Sequence, residues 1–594
     1  MDLILAHGEP AGGAALHEIL WASGVALVLI AGLGWFGSAH RSNKTTVLTR
    51  LGDFSATVSG LPAWAALPAA IASGALLVAV YGFYWDVATH IDNGRDPGPF
   101  ANPSHFFIIF GLFGIAVAGY VGVLLGTKRE SSTSVRIREG WNVPLGAILL
   151  MVCGLIAVGG FPLDDIWHRL FGQDVTLWGP THIQMVGGAA LSTLALWVLV
   201  VEGIRDRAEA GKVRPVLRVH ETLVAGAFLL GASALQAEFD YSVPQFRLLF
   251  HPVMLALAAG IALVPARIRL GRGAALKAVA FFLVVRGILS VVVGPVLGHT
   301  TLHFPLYIGE ALLVELVALR INPARYVTFG AWSGAAIGTL GVAAEWAWSN
   351  TWMTMSWGTA LLPEIALAAV AGIAGGVLGG RIGGALSGAP RNVRSMRVAG
   401  LAAGAAIVLC LAYPLPISDA QGSATVALDD PSAHRTTVTV TLDPPTLADD
   451  AEWFNITAWQ GGGSVVGSLE PLGNGTYRAT DIPIGGEWKT LVRLHTGSAI
   501  VAVPVYMPAD PAIPAEEVPA ESSVTRPFVP DKQLLLREAK DTPSWFSMVG
   551  YSALGLIVVV WIAGLAWGLR RMRDDGPAGH DEREVRWSWK ASTT

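Results

Sequence analysis

The chain has 594 residues, 53% of them hydrophobic and only 14% charged, with a formal net charge of −4 and a mean hydropathy of +0.52. A water-soluble protein carries about a quarter charged residues, so this composition excludes an ordinary soluble enzyme, and the near-balanced charge gives no hint of nucleic acid. Both cysteines, Cys153 and Cys410, lie inside apolar runs, which argues against a disulfide framework and against a thiolate metal site.

Only six residues, none basic, precede the polar His7-Gly-Glu-Pro stretch, so no signal peptide is expected and 1–16 reads as an outer segment. Apolar runs long enough to cross a bilayer core of about 30 Å then fall near 17–37, 61–84, 105–126, 142–161, 182–203, 220–238, 251–266, 278–297, 304–320, 326–344, 359–379, 398–416 and 546–569. Basic clusters at Arg41/Lys44/Arg50, Lys128/Arg129, Lys212/Arg214/Arg218, Arg267/Arg269, Arg320/Arg325, Arg391/Arg394 and Arg570/Arg571 separate them in alternation. The positive-inside rule makes each cluster a cytoplasmic turn. The expected fold is therefore an all-α polytopic membrane protein of about 13 transmembrane helices, N-terminus outside and C-terminus inside. Its membrane domain spans 17–417, and the cell membrane is its expected location.

Eleven of the fourteen histidines then fall on or near the outer side, and neutral imidazole is the commonest metal-binding side chain. Two stretches concentrate them. In Trp85–His105, Asp86 and His90 stand four apart at the end of one span, Gly and Pro residues break the helix, and His105 follows Pro103-Ser104 at the start of the next. Residues four apart share a helix face, so a helix end, a loop and a helix start can bring one carboxylate and two imidazoles together. Asp164, His168 and His182 repeat the arrangement, with Pro180-Thr181 before the last histidine. Two nitrogens and one oxygen suit copper or zinc.

The series Asp86, His90, Arg95-Asp96, Phe100 and Pro103-Ser104-His105 resembles the copper-site signature in one membrane subunit of the copper membrane monooxygenases, the particulate methane and ammonia enzymes. Asp164, His168 and His182, with Gly179-Pro180, are similar to that family's second membrane site, although the family has Asn at the first position. The resemblance covers about residues 60–205. It implies copper as cofactor, these six residues as ligands, Arg95 and Asp96 as supporting groups, partner membrane subunits and a quinol electron donor. Asp165 competes with Asp164 as the first ligand of the second site.

Further along, Glu238, Asp240 and His251 read as a degenerate third copy, in which His251 is a further candidate metal ligand. His299, His303 and Glu310 offer either another metal or proton site or a plain helix cap. Arg286 and Glu315 fall at comparable depth in neighbouring spans, where a lone charge costs about 3 kcal/mol, so an Arg286–Glu315 pair is expected. Residues 418–510 switch to period-two alternation with Gly and Pro turns, the pattern of an extracytoplasmic β-sandwich, and Gly473–Leu494 is similar to FixH/YtkA-like domains. A Pro/Glu-rich tether, 511–545, leads to the last span, 546–569, and a cytoplasmic tail, 570–594. Two functions fit: dioxygen activation on a small apolar substrate at copper, or copper acquisition, storage or delivery without turnover.

Overall fold

The computed structural model describes residues 13–96, 98–128, 130–131, 133–172, 177–211, 215–389, 394–416, 421–535, 542–543 and 545–573. The N-terminal segment before residue 13 with His7, the tail beyond residue 573, and Arg129, Lys212, Arg214 and Arg391 of the basic loops lie outside the described residues.

Eleven helices among the described residues are long and apolar enough to cross a membrane, and the chain is a multi-pass membrane protein. The first six are α1 (Leu16–Arg41), α3 (Ala63–Asn93), α4 (Pro103–Leu124), α5 (Leu145–Phe171), α6 (Pro180–Glu209) and α7 (Val216–Asp240, with a short 3₁₀ turn before its end). A further helix, α2 (Val47–Ser59), packs on α3. Then come α8 (Phe250–Leu270), α9 (Ala274–Val296), α10 (Ile308–Val317), α11 (Tyr326–Trp352), α12 (Ala366–Leu386), α13 (Arg394–Ala412) and α14 (Trp545–Arg571).

One of the runs expected to span, 304–320, gives the shorter helix α10, and the run 398–416 falls in the 19-residue α13, whose apolar part is Val398–Ala412. For α10 the cause is visible: residues 300–306 lack helical structure, and Tyr307 takes a left-handed φ of 58° before the helix begins. Helices α11 and α12 meet along glycines. A Cβ on Gly334 would lie 2.0 Å from the Gly372 carbonyl oxygen, and one on Gly376 would lie 2.1 Å from that of Gly330. Only glycine permits such backbone approach, the usual device where lipid offers no hydrophobic drive for helix association.

Residues 423–530 form two five-stranded antiparallel sheets, one ordered β12-β10-β9-β5-β6 and the other β11-β3-β4-β8-β7. Here β3 is Ser423–Leu428, β4 Arg435–Asp443, β5 Ala451–Trp459, β6 Ser464–Ser468, β7 Glu470–Gly473, β8 Thr476–Pro483, β9 Lys489–Thr496, β10 Ala499–Tyr506, β11 Ser523–Pro527 and β12 Val529–Pro530; a small hairpin, β1 (Val135–Arg138) and β2 (Trp141–Val143), precedes α5. Alternate residues such as Val438, Val440 and Leu442 of β4 and Val492 and Leu494 of β9 share one core, so the sheets form a sandwich.

The opposite face of β9 docks on the helical body. Its Arg493 donates to the Pro244 carbonyl at 2.7 Å and pairs with Asp531 at 2.6 Å. The β5–β6 turn caps the end of α3: the Gln460 and Gly462 amides donate to the Ile91 and Asp92 carbonyls at 3.0 and 2.9 Å. Arg95, just beyond α3, pairs with Asp510 of the sandwich domain at 2.6 Å.

This junction carries a pH dependence. Burial pushes the Glu452 carboxyl up to about 7, with Arg247 opposing and Glu364 reinforcing the shift. Burial pushes the His495 imidazole, 3.3 Å away, down to about 3. A carboxyl with a raised pKa keeps its proton in the folded state, so its stabilising contribution fades as pH rises from about 4.5 through about 7. A neutral buried histidine acts oppositely, and stability falls as pH drops from about 6.5 through about 3. Glu452→Gln is expected to abolish the first slope, on the order of 1–3 kcal/mol, and to keep the second. Melting temperature of the detergent-solubilised protein against pH reads this, and unchanged slopes in the variant would contradict it.

Candidate metal centres

Two clusters of ligand-type side chains stand on the helix ends facing the sandwich. In each cluster the candidate ligand atoms lie within 4.8 Å of one another. The first unites Asp86, His90, Asp96 and His105; the second unites Asp164, His168 and His182.

Local sequence explains the first. Asp86 and His90 occupy one face of the last turns of α3, and Gly94, at φ 80°, ends that helix. Asn102 then caps α4, its side chain accepting from the Ser104 amide, with Pro103 at the first helical position. The His90 Nδ1 lies 3.0 Å from the Gly94 carbonyl, and the His105 Nδ1 lies 2.7 Å from that of Pro99. A carbonyl only accepts, so both Nδ1 atoms carry hydrogen and both Nε2 lone pairs are free to face inward. Asp86 is steered from the other side by the Ser104 hydroxyl at 2.7 Å and the Asn102 amide at 2.9 Å.

Separations test whether a metal fits. With metal bonds of about 2.0–2.1 Å, neighbouring ligands of a tetrahedral ion stand about 3.3 Å apart. Asp86 Oδ1 lies 3.6 Å from His90 Nε2 and 3.0 Å from His105 Nε2, and Asp96 Oδ2 lies 3.4 Å from both. In the second cluster Asp164 stands 3.5 Å from His168 Nε2 and 3.4 Å from His182 Nε2. Most of these are long for hydrogen bonds and close to the spacing of a metal's shell. His168 Nε2 is moreover buried with no hydrogen-bond partner, an arrangement that costs energy unless something else binds it. The Thr181 hydroxyl donates to Asp164 as Ser104 does to Asp86, so the hydroxyl residue before each final histidine has the same task.

Several expectations change. Asp96 reaches both imidazoles and belongs with the candidate ligands of the first cluster rather than behind them. Arg95 turns away to Asp510. Asp165 pairs with Arg169 at 2.7 Å and accepts from the Ala14 amide at 2.8 Å, so it holds the residues that open α1 and does not compete with Asp164. His251, His299, His303 and Glu310 join no such cluster among the described residues. His299 is spanned by Asp92 at Nδ1 and the Trp85 indole at Nε2. His251 stacks on Phe239, and its Nδ1 accepts from the Trp357 indole. His303 packs against Trp352, and Glu310 is fully buried beside Gly341.

Arg286 pairs with Asp240, not with Glu315, which pairs with Arg267 at 2.8 Å and accepts from the Ala275 amide. Eleven residues of helix separate Ala275 from Arg286, a rise of about 16 Å. Counting depth along an unbroken 304–320 helix misplaces Glu315.

Both clusters open into one cavity. Asp86, His90, His105, Asp164, His168 and His182 all line a space of about 480 Å³. The sandwich domain roofs it with Trp459, Gln460, Glu487, Lys489, Arg493 and Asp510, while Phe161, edge-on to His105 with ring centres 5.8 Å apart, lies on the same helix as Asp164. Sequence alone presents the sandwich as a separate module; no periodicity marks residues so far along the chain as the lid of this chamber. No protein-family model, curated protein or solved structure matches the chain.

Proposed function

We propose that this protein holds copper at two Asp/His centres and uses them, in the manner of a monooxygenase subunit, to activate dioxygen on a small apolar substrate. The observation that carries the reading is the single roofed chamber into which both donor sets open. Two isolated sites would suit storage equally well; two sites lining one shared cavity suit chemistry on a molecule held between them. The charge pattern of the loops supports an outer-side location for the chamber at the cell membrane. Partner membrane subunits and a quinol donor complete the proposal.

Copper bound here would supply one-electron chemistry toward dioxygen. The chain's own residues supply the rest. The Gly94 and Pro99 carbonyls hold the His90 and His105 rings in the tautomer that presents Nε2, and Ser104 and Thr181 orient the two aspartates. The Gln460 and Gly462 contacts and the Arg95–Asp510 pair hold the roof over the chamber and limit bulk water.

Dioxygen uptake by copper-loaded protein in nanodiscs, with a reduced quinol and a short alkane, tests the proposal. Alkane-dependent uptake that falls at least about tenfold in Asp164→Ala is expected. Copper binding with no uptake under any donor would favour acquisition, storage or delivery instead.

A further inference from the structure

A second cavity, of about 500 Å³, runs between α2, α3, α6 and α7. On α3 alone its lining extends from Ala66 to Phe83, about 25 Å of helical rise, most of the roughly 30 Å thickness of a bilayer's hydrocarbon core. The space is therefore a slot, long along the helices and lined almost wholly by apolar side chains.

Its two ends differ. Phe54, Val58, Leu77 and Leu223 line it and are 69, 64, 49 and 43% exposed on the apolar surface of the helices, so the slot opens sideways toward lipid. At its inner end Phe83, Ile108, Met185 and Val186 line both this slot and the metal chamber. The few polar side chains include Ser55, Ser59 and His220 near the other end of the helices. Ser59 is satisfied by the Ser55 carbonyl, and the His220 Nδ1 by that of Val216. Apolar cavities stay dry and take apolar guests, and a cavity open to the bilayer meets hydrocarbon at very high concentration.

We propose that this slot seats one linear hydrocarbon chain drawn sideways from the bilayer, with its inner end against the Phe83–Ile108–Met185–Val186 wall of the metal chamber. That the chain end then meets reactive copper rests on the function proposed above; the seating does not. The chain is either a free hydrocarbon or the tail of a membrane quinone.

The test is photolabelling of the full chain in nanodiscs with dodecane carrying a terminal aliphatic diazirine, read by peptide mass spectrometry. Adducts on the wall residues Ile108, Met185 or Val186 are expected in the wild type. They should fall at least about tenfold in Ala189→Trp, which fills the slot with a bulky ring, and persist in Val28→Trp on the exposed face of α1. Unlabelled dodecane displacing the probe identifies a free hydrocarbon, and displacement by a prenylated quinone alone identifies a quinone tail. Adducts confined to exposed positions such as Leu29 and Ile30 would overturn the proposal, and this wild-type result stands even if Ala189→Trp fails to fold. Copper content, measured on the same samples, separates failure of the metal reading from failure of the slot: wall adducts in copper-free protein would sustain the slot alone.

Discussion

Asp240→Asn is expected to destabilise the protein by about 3–5 kcal/mol, the penalty for leaving a buried charge without its partner. Arg286 is 1% exposed, and its guanidinium is walled by the rings of Tyr84, Phe282 and Phe304, with the Tyr84 ring centre 4.3 Å away. Those rings face the cation in wild type and variant alike, so their attraction does not replace the lost carboxylate. The double variant Asp240→Asn/Arg286→Met removes both charges and should recover most of the loss, because a buried ion pair replaced by apolar groups is often nearly neutral. Denaturant or thermal unfolding in a fixed detergent measures both. Equal destabilisation of single and double variants would show that packing, not charge, holds these helices together.

Replacing the central aspartates should affect metal binding at the two candidate centres unequally. Asp164 is the one carboxylate in its cluster among the described residues, whereas the first cluster holds Asp96 as well as Asp86. Loss of a partner behind a ligand already costs about 10–100-fold in metal affinity, and Asp164→Ala removes a ligand outright, so a loss beyond about 100-fold is expected there. At the first centre Asp96 Oδ2 lies 3.4 Å from both imidazoles and can take over part of the coordination. Asp86→Ala should therefore fall within the lesser range, and Asp86→Ala/Asp96→Ala should match Asp164→Ala. Competition with a chelator of known affinity reads all three, and equal losses in Asp86→Ala and Asp164→Ala would remove Asp96 from the shell.

The legible parts of this molecule are those set by local periodicity. Apolar runs mark eleven of the helices, alternation in Arg435–Asp443 marks a sandwich strand, and the Asp-x-x-x-His spacing with Pro-Ser/Thr-His marks both clusters, because helix ends and Pro-started helices fix side chains within a few residues. Asp96 is visible only as a neighbour of Arg95, since no periodicity governs the loop that carries it. That Glu315 falls beside Arg267 and not Arg286 depends on where helix α10 begins, and the left-handed Tyr307 that delays it has no strong signal in the sequence. The roof over the chamber is the least legible, because Gln460 meets Ile91, and Asp510 meets Arg95, across hundreds of residues. Such contacts are decided by surface fit, which a single sequence does not encode in any local pattern.

The proposed copper loading assigns a separate centre to each of the two clusters that line the chamber. Elemental analysis of protein purified in nanodiscs after copper supplementation, comparing wild type with His90→Ala/His105→Ala and His168→Ala/His182→Ala, tests it most directly. Copper lost stepwise, one centre in each double variant with the other retained, is the predicted result. Copper absent from the wild type, or unchanged in both variants, would contradict copper binding at these clusters and leave the histidines as groups that hold helix ends and roof together.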